Sequence, residues 1–479
     1  MKTYVCICLL SVFLLSLLAG CAGTEIPAEP STQHVTEGET DEITAALAAL
    51  SVDWEGEELV ILGRSDQFAE DLIAEQSSDV LESAVYGRNL ALEETCKLTL
   101  NCVGAGTDEL SDMVKADIKS GTGEYHVVHH HMAQTAKLAS DGQLISFTSL
   151  DGVDLSAPWW DAGTASFVIA DQVYFMNSAI NVSDERTTYV MMFNKQLAKD
   201  KSIDPYALVY NNEWTLDTFG SLIRDVSYDS SGDGKYDEND TYGFIVTWET
   251  GNTFFFGSGL KFVECEQGKD PYLALDTSGM NKASDLLDKV LDIYYVNHAT
   301  YVPGTEEGAE KKGMDAFREN RGLFYTEVVM YIVALGKSME GDFGVLPIPK
   351  YDSAQKEYIT WTNAICSTTS IPVSAQDTDK LGQTLEIMAI LSQQRVTPAF
   401  YDTVLQRKSV RDEESQGMLD IIFKTRCYDM SVYYDLGLEP LFKESVNDNK
   451  TNFASNYNKK ASKAEYKLES LLKKFAENP

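Results

Sequence analysis

Residues 229–240 have the ligand spacing of a twelve-residue calcium loop. Asp229, Ser231, Asp233, Asp237 and Asp240 place oxygen side chains at loop positions one, three, five, nine and twelve. Gly234 falls at position six, where such a loop turns sharply, and Lys235 at seven, where only the backbone carbonyl serves. Two departures matter. Ser231 stands where a carboxylate or amide is usual, and the shorter Asp240 replaces a bidentate Glu. The expectation is a structural Ca2+ that neutralises clustered carboxylates. The plain alternative is a solvated Asp/Gly turn. A strand-like run at 242–246 follows the loop, so a paired sensor hand is not expected.

A second constellation is aromatic. Pro158-Trp159-Trp160-Asp161 sets two indoles beside a carboxylate, and Trp361-Thr362-Asn363 sets a third beside an amide. Flat apolar rings with polar neighbours suit a sugar: the ring stacks on C–H groups while Asp and Asn bond hydroxyls. The competing reading places at least one indole of the tandem pair in the core. Adjacent residues on an extended segment face opposite ways, so Trp160 is expected to line a cleft while Trp159 packs inside. Trp54, Trp214 and Trp248 are expected to be structural. His129-His130-His131 cannot all face one metal from a strand or a helix; His130 is expected in a hydrogen-bonding loop. No GxSxG, phosphate loop or GxGxxG occurs.

These residues need elements to hold them. Glu58–Gly63, Leu98–Val103 and Tyr125–Val128 read as strands, with amphipathic helices at 79–95 and from Thr107, its cap. The alternation continues: strands at 189–193, 242–246, 322–325 and 343–347, and helices from Thr215, at 281–291, at 379–394 and at 455–476. Alternating strands and helices predict parallel α/β sheets, whose ligands sit at strand carboxyl ends. Ser65 and Asp66 lie at the first such end.

The chain is 479 residues long with a net charge of −35. That length exceeds one compact core and predicts two lobes. The charge excludes a nucleic-acid partner, which needs a basic face. Residues 1–20 pair Lys2 with an apolar run from Tyr4 to Leu18, a signal-peptide pattern. The run ends Leu18-Ala19-Gly20-Cys21, small residues before a thiol, as in a bacterial lipobox. Cys21 is therefore expected to carry lipid, anchoring the chain to the outer face of the cell membrane. Residues 21–55, rich in Ser, Thr, Glu and Pro, are expected to be a tether, in which Thr44–Leu50 has room for a short helix that nothing demands. Cys96, Cys102, Cys265, Cys366 and Cys427, an odd number with no CxxC, read as free buried thiols.

Several stretches together resemble bacterial extracellular solute-binding proteins of family one, the receptors of carbohydrate ABC importers. They are Tyr86-Gly87-Arg88-Asn89 with Glu93-Glu94, Pro158-Trp159-Trp160, Phe193-Asn194-Lys195 with Leu197, Trp214-Thr215-Leu216-Asp217, Tyr242-Gly243-Phe244, Gly344-Val345-Leu346-Pro347 with Pro349-Lys350, and Arg411-Asp412-Glu413-Glu414-Ser415. The resemblance implies a type II periplasmic-binding-protein-like α/β fold with a ligand cleft between two lobes. Lobe 1 would comprise 56–168 and 362–405, and lobe 2 169–361 and 406–479. It implies a monomeric, non-enzymatic receptor that hands a mono- or oligosaccharide to permease subunits. Ser65, Asp66, His130, Trp159, Trp160, Asp161, Trp361 and Asn363 are the expected ligand contacts. A surface-anchored glycan hydrolase and a peptide or amino-acid receptor are the alternatives.

Overall fold

A computed structural model describes residues 37–66, 69–73, 75–266, 268–304, 308–405 and 412–477. The signal segment, Cys21 and Arg411 lie outside them. The first sheet has the order Thr99–Ala105, Glu58–Arg64, Val127–His131, Ser367–Pro372, Leu144–Ile145. Its first three strands are parallel, and Ser367–Pro372 returns antiparallel beside Val127–His131. Leu59, Ile61 and Leu62 have no exposed surface. An unbroken apolar run is what a parallel strand covered on both faces requires. The helix Val80–Cys96 covers this sheet. Asp79 caps it by accepting the Leu81 and Glu82 amides, and Lys97 ends it in the left-handed conformation. Against it packs the long helix Thr378–Leu405. Arg88, fully buried, joins the two: its Nη1 donates to Ile180 O at 2.9 Å and Ser392 Oγ at 2.7 Å.

The second sheet runs Thr300–Tyr301, Tyr242–Ile245, Gly322–Val328, Tyr189–Asn194, Phe343–Leu346. Its first three strands are parallel, and Tyr189–Asn194 is antiparallel to both of its neighbours. Thr215 caps the helix Leu216–Ile223, as expected. Trp214 lies fully buried beneath it, its indole nitrogen donating to Pro347 O at 2.8 Å. The C-terminal helix Phe453–Glu477 packs on Met132–Ser140 beside the first sheet and on Thr277–Tyr295 beside the second. The mixed α/β, two-lobe architecture is therefore as the sequence predicts.

Four details differ. Helix Glu37–Ala49 falls inside the expected tether. Its Ile43 is buried and packs into the core with Trp54, whose indole donates to Thr384 Oγ1 at 2.9 Å. The ordered domain thus begins before residue 56, because this segment carries its own apolar face. The strand Phe175–Met176 pairs with Ser367–Pro372, so the chain stays with the first sheet beyond residue 168. Gly106, not Thr107, precedes the next helix, and no side chain caps it. His129-His130-His131 is not a loop but the end of the strand Val127–His131. The five cysteines are free thiols, as expected, but only Cys96 and Cys366 are buried and the other three are half-buried; burial pushes Cys96 up to about 12 and Cys102 to about 11.

Candidate functional site

The carboxyl ends of the second sheet's parallel strands enclose a cavity of about 570 Å³. Trp248 follows the strand Tyr242–Ile245, Tyr325 and Glu327 lie on Gly322–Val328, and Glu310, Met314 and Tyr331 come from two flanking helices. Trp248 and Tyr331 are half-buried and Glu310 is exposed. Tyr325 and Glu327, two apart on one strand, share a face. The Tyr325 hydroxyl donates to Glu327 Oε2 at 3.3 Å, and the Val328 amide to Oε1 at 2.9 Å. Burial pushes Glu327 up to about 8; the Glu310 and Glu249 charges add to that, against the pull of the two hydrogen bonds. Burial, then the charges of Glu249, Glu327 and Glu310, holds the neighbouring Tyr189 hydroxyl well above its usual value.

The crossing segment 362–367 joins Tyr189 of the second sheet to the strand end of the first. Asn363, half-buried, donates from Nδ2 to the Tyr189 hydroxyl at 3.2 Å. Two residues on, Ile365 O accepts Arg64 Nη1 at 2.6 Å. Arg64 Nε and Nη2 both donate to Asp66 Oδ2, at 3.0 and 2.6 Å. Ser65 and Asp66 are exposed at the first sheet's strand end, as expected. Trp361 is not exposed there: it is buried, stacked on Tyr189 with ring centroids 5.1 Å apart and packed on Phe256. It backs the Tyr189 ring, whose hydroxyl accepts Asn363 Nδ2.

His130 is displaced from its expected role. The strand turns it inward, and its Nε2 meets Ser111 Oγ at 2.7 Å with no exposed surface. Burial pushes His129 and His130 down to about 3, and His131 to about 4. All three rings are neutral near pH 7. His131 Nδ1 accepts the Ala133 amide, capping the next helix.

Trp159, Trp160 and Asp161 line a different cavity, of about 830 Å³, together with Glu185, Phe423 and Arg426. The indoles do not face opposite ways. Both nitrogens donate at 2.8 Å to the buried Glu386, one to each carboxylate oxygen. The reason is that the segment is a turn, not a strand: Trp160 N bonds Ala157 O at 3.1 Å. Only 5% of Trp159 and 3% of Trp160 is exposed. Asp161 accepts Arg426 Nη2 at 2.7 Å and the Tyr428 hydroxyl at 2.9 Å. Burial raises its carboxyl, but the Arg426 charge and its hydrogen bonds bring it below the usual value. Asp184 shares Arg426 at 3.5 Å, and burial followed by the Glu185 charge drives it well above.

In the acidic loop, Asp229 accepts the Gly232 and Gly234 amides at 2.6 and 2.8 Å, wrapping the chain around its carboxylate. Gly234 holds φ +83°, a conformation that favours glycine. Asp240, fully buried, accepts the Ser230 and Asp237 amides, both at 2.9 Å. Asp233 and Asp237 accept amides of Lys235 and Asn239. The Ser231 hydroxyl donates to Asp229 at 3.1 Å. The oxygens thus bond amides and a hydroxyl of the same loop, and among the described residues no three His, Cys, Asp or Glu side chains are grouped as a metal cage.

Tyr331, Glu310 and Glu327 were not among the sequence expectations, and Trp248, expected to be structural, is half-buried and lines the cavity. The signal was present: Trp248 follows a predicted strand, and the strand-end rule applies to the second sheet as to the first.

No protein-family model matches the chain, and no curated protein matches its sequence. Solved structures share its fold. UspC of M. tuberculosis is 13% identical with a TM-score of 0.57, over 86% of this chain and 100% of that one. The cyclic alpha-maltosyl-1,6-maltose binding protein from Arthrobacter globiformis is 12% identical, TM-score 0.57, over 87% and 99%. The maltose/maltodextrin-binding domain MalE from Bdellovibrio bacteriovorus, bound to maltotriose, is 15% identical, TM-score 0.52, over 87% and 100%. At these identities the likeness is one of fold, that of two-lobe periplasmic-binding-protein-like structures.

Proposed function

We propose that this chain is an extracellular carbohydrate receptor of an ABC importer, which holds a sugar between the strand-end loops of its two lobes. The observation that carries this is the strand-end cavity in which Trp248 and Tyr331 accompany Glu327 and Glu310. Aromatic rings bury the apolar face of a sugar and carboxyl groups bond its hydroxyls. Asn363, Ser65 and Asp66, expected from the sequence as contacts, do not line this cavity and would meet the sugar only from the first lobe's side. Two of the solved fold relatives are a maltodextrin-binding and a cyclic-maltosyl-maltose-binding protein, which supports the ligand class. Ligand shifts such a receptor toward its closed form only by binding that form more tightly. The test is a thermal-shift and calorimetry panel of mono- and oligosaccharides against peptides and amino acids. Sugar-only stabilisation supports the reading; peptide-only stabilisation contradicts it. Glu310 and Glu327 are also a pair of carboxyls in one cavity, so a hydrolase reading is tested in parallel: new reducing ends from an oligosaccharide would establish turnover.

The further parts of this reading rest on sequence. The segment through Cys21 would place a lipid anchor, with the receptor monomeric at the membrane face and permease subunits as partners. No helix among the described residues is long and apolar enough to cross a membrane. Cys21→Ala should lose metabolic lipid label; a labelled variant would contradict the anchor. The loop at 229–240 would hold one Ca2+ structurally, its oxygens turning from the loop's own amides to the ion.

A further inference from the structure

We propose that the sugar this cavity takes carries a protonated amine, received by Glu327 and Glu310 beside Trp248 and Tyr331. The inference rests on the receptor reading above and narrows its ligand class. Its starting point is an imbalance of charge. Glu327 is buried, bonded only to the Tyr325 hydroxyl and the Val328 amide, and makes no ion pair among the described residues. The strongest charges acting on it are acidic ones, Glu310 and Glu249. Lys443 is held by Glu249 and Glu439, at 2.5 and 2.7 Å. Lys311, the cation of the cavity wall, is exposed and paired with Asp315 one helical turn on, at 2.5 Å. A buried carboxylate without a counter-charge is costly. A neutral sugar leaves that charge uncompensated or requires the proton to stay. An ammonium group supplies the counter-charge, and the neighbouring rings favour a cation further. The net charge of −35 concentrates cations around the whole molecule.

The proton balance is explicit. With Glu327 protonated, binding of R–NH3+ yields the carboxylate–ammonium pair and one released proton. The other titratable groups facing Glu327 are Glu310 and Lys311 on one helix, Tyr331 on another, and Glu249, Tyr325 and Tyr189. The tyrosines are all raised by burial and stay neutral. The experiment is calorimetry of the full-length chain at about pH 5.5, where the sugar amine and Glu327 are both protonated before binding, in two buffers of different ionisation heat, with three probes: the glucosamine trimer, its N-acetylated form and maltotriose. The free-amine trimer should bind about tenfold tighter than either neutral trimer. It should release close to one proton, and the neutral trimers none. Glu327→Gln should erase both the preference for the free-amine trimer and the proton release. Equal or tighter binding of a neutral trimer overturns the inference and leaves the receptor reading standing. Binding of none of the three overturns the inference and counts against the receptor reading as well. Should Glu327→Gln fail to fold, the buffer dependence of the unsubstituted chain decides alone.

Discussion

In the cavity beside Trp160, both indole N–H groups are bonded to Glu386 and the neighbouring Asp161 is held by Arg426 and Tyr428. In the cavity beside Trp248, the indole is half-exposed and Glu327 makes no ion pair among the described residues. Both cavities have tryptophan and carboxylate in their walls, and the first is the larger. What separates them is whether the polar groups are already satisfied. A tryptophan whose nitrogen is bonded and whose rings are packed contributes stability. One left half-exposed at the carboxyl end of a parallel strand is available to a ligand.

The comparison can be broken most severely at Glu386. Glu386→Ala leaves two buried indole N–H groups without acceptors, each costing about 1–3 kcal/mol. Denaturant unfolding should show a loss of about 2–6 kcal/mol, with sugar affinity unchanged in the folded fraction. Loss of binding without loss of stability would move the ligand to the Trp160 cavity. At Glu327 the expected effect depends on pH. An unfolded glutamate titrates near about 4.3, whereas Glu327 in the folded chain titrates near about 8. Between these values the folded state keeps a proton that the unfolded state has lost, so stability falls as pH rises through the window and levels off above it. Melting curves from about pH 5 to 9 should therefore show Glu327→Gln gaining on the parent chain as pH rises; parallel curves would mean that Glu327 is ionised at neutral pH. The smallest effect is expected at the acidic loop. Calcium about tenfold above its Kd should add about 1.4 kcal/mol of stability. Chelation should remove it, and the pair Asp229→Ala with Asp233→Ala should abolish the response without changing sugar binding. A parent chain indifferent to calcium and chelator would leave residues 229–240 as a turn held by its own amides.

The alternating apolar runs carried most of the architecture. Leu59–Leu62 and Tyr189–Phe193 read as buried strands and Thr215 as a helix entry, and each lies in such an element. The helix Glu37–Ala49 was legible only as a possible short helix at 44–50, because its polar residues read as linker; Ile43 is buried, and Ala46 and Leu47 pack against the core beside it. The site was less legible. Two adjacent tryptophans beside an aspartate look like a sugar platform, but their common acceptor, Glu386, lies 226 residues beyond Trp160 and only the fold brings it near. His130 was misplaced because a histidine run suggests polarity, while the strand's alternation turns its central ring toward Ser111. Trp248 and Glu327 were within reach of the strand-end rule; what no local pattern shows is that Glu327 makes no ion pair among the described residues.

The central claim is that ligand sits at the strand ends beside Trp248 and not beside Trp160. Calorimetry with the tightest sugar of the panel, run side by side on Trp248→Ala and Trp160→Leu, tests it most directly. Losing the stacked ring should cost Trp248→Ala about 1–3 kcal/mol of binding with little change in melting temperature. Trp160→Leu should melt earlier and bind as the parent chain does. A folded Trp160→Leu that has lost the sugar, alongside a Trp248→Ala that keeps it, would contradict the account.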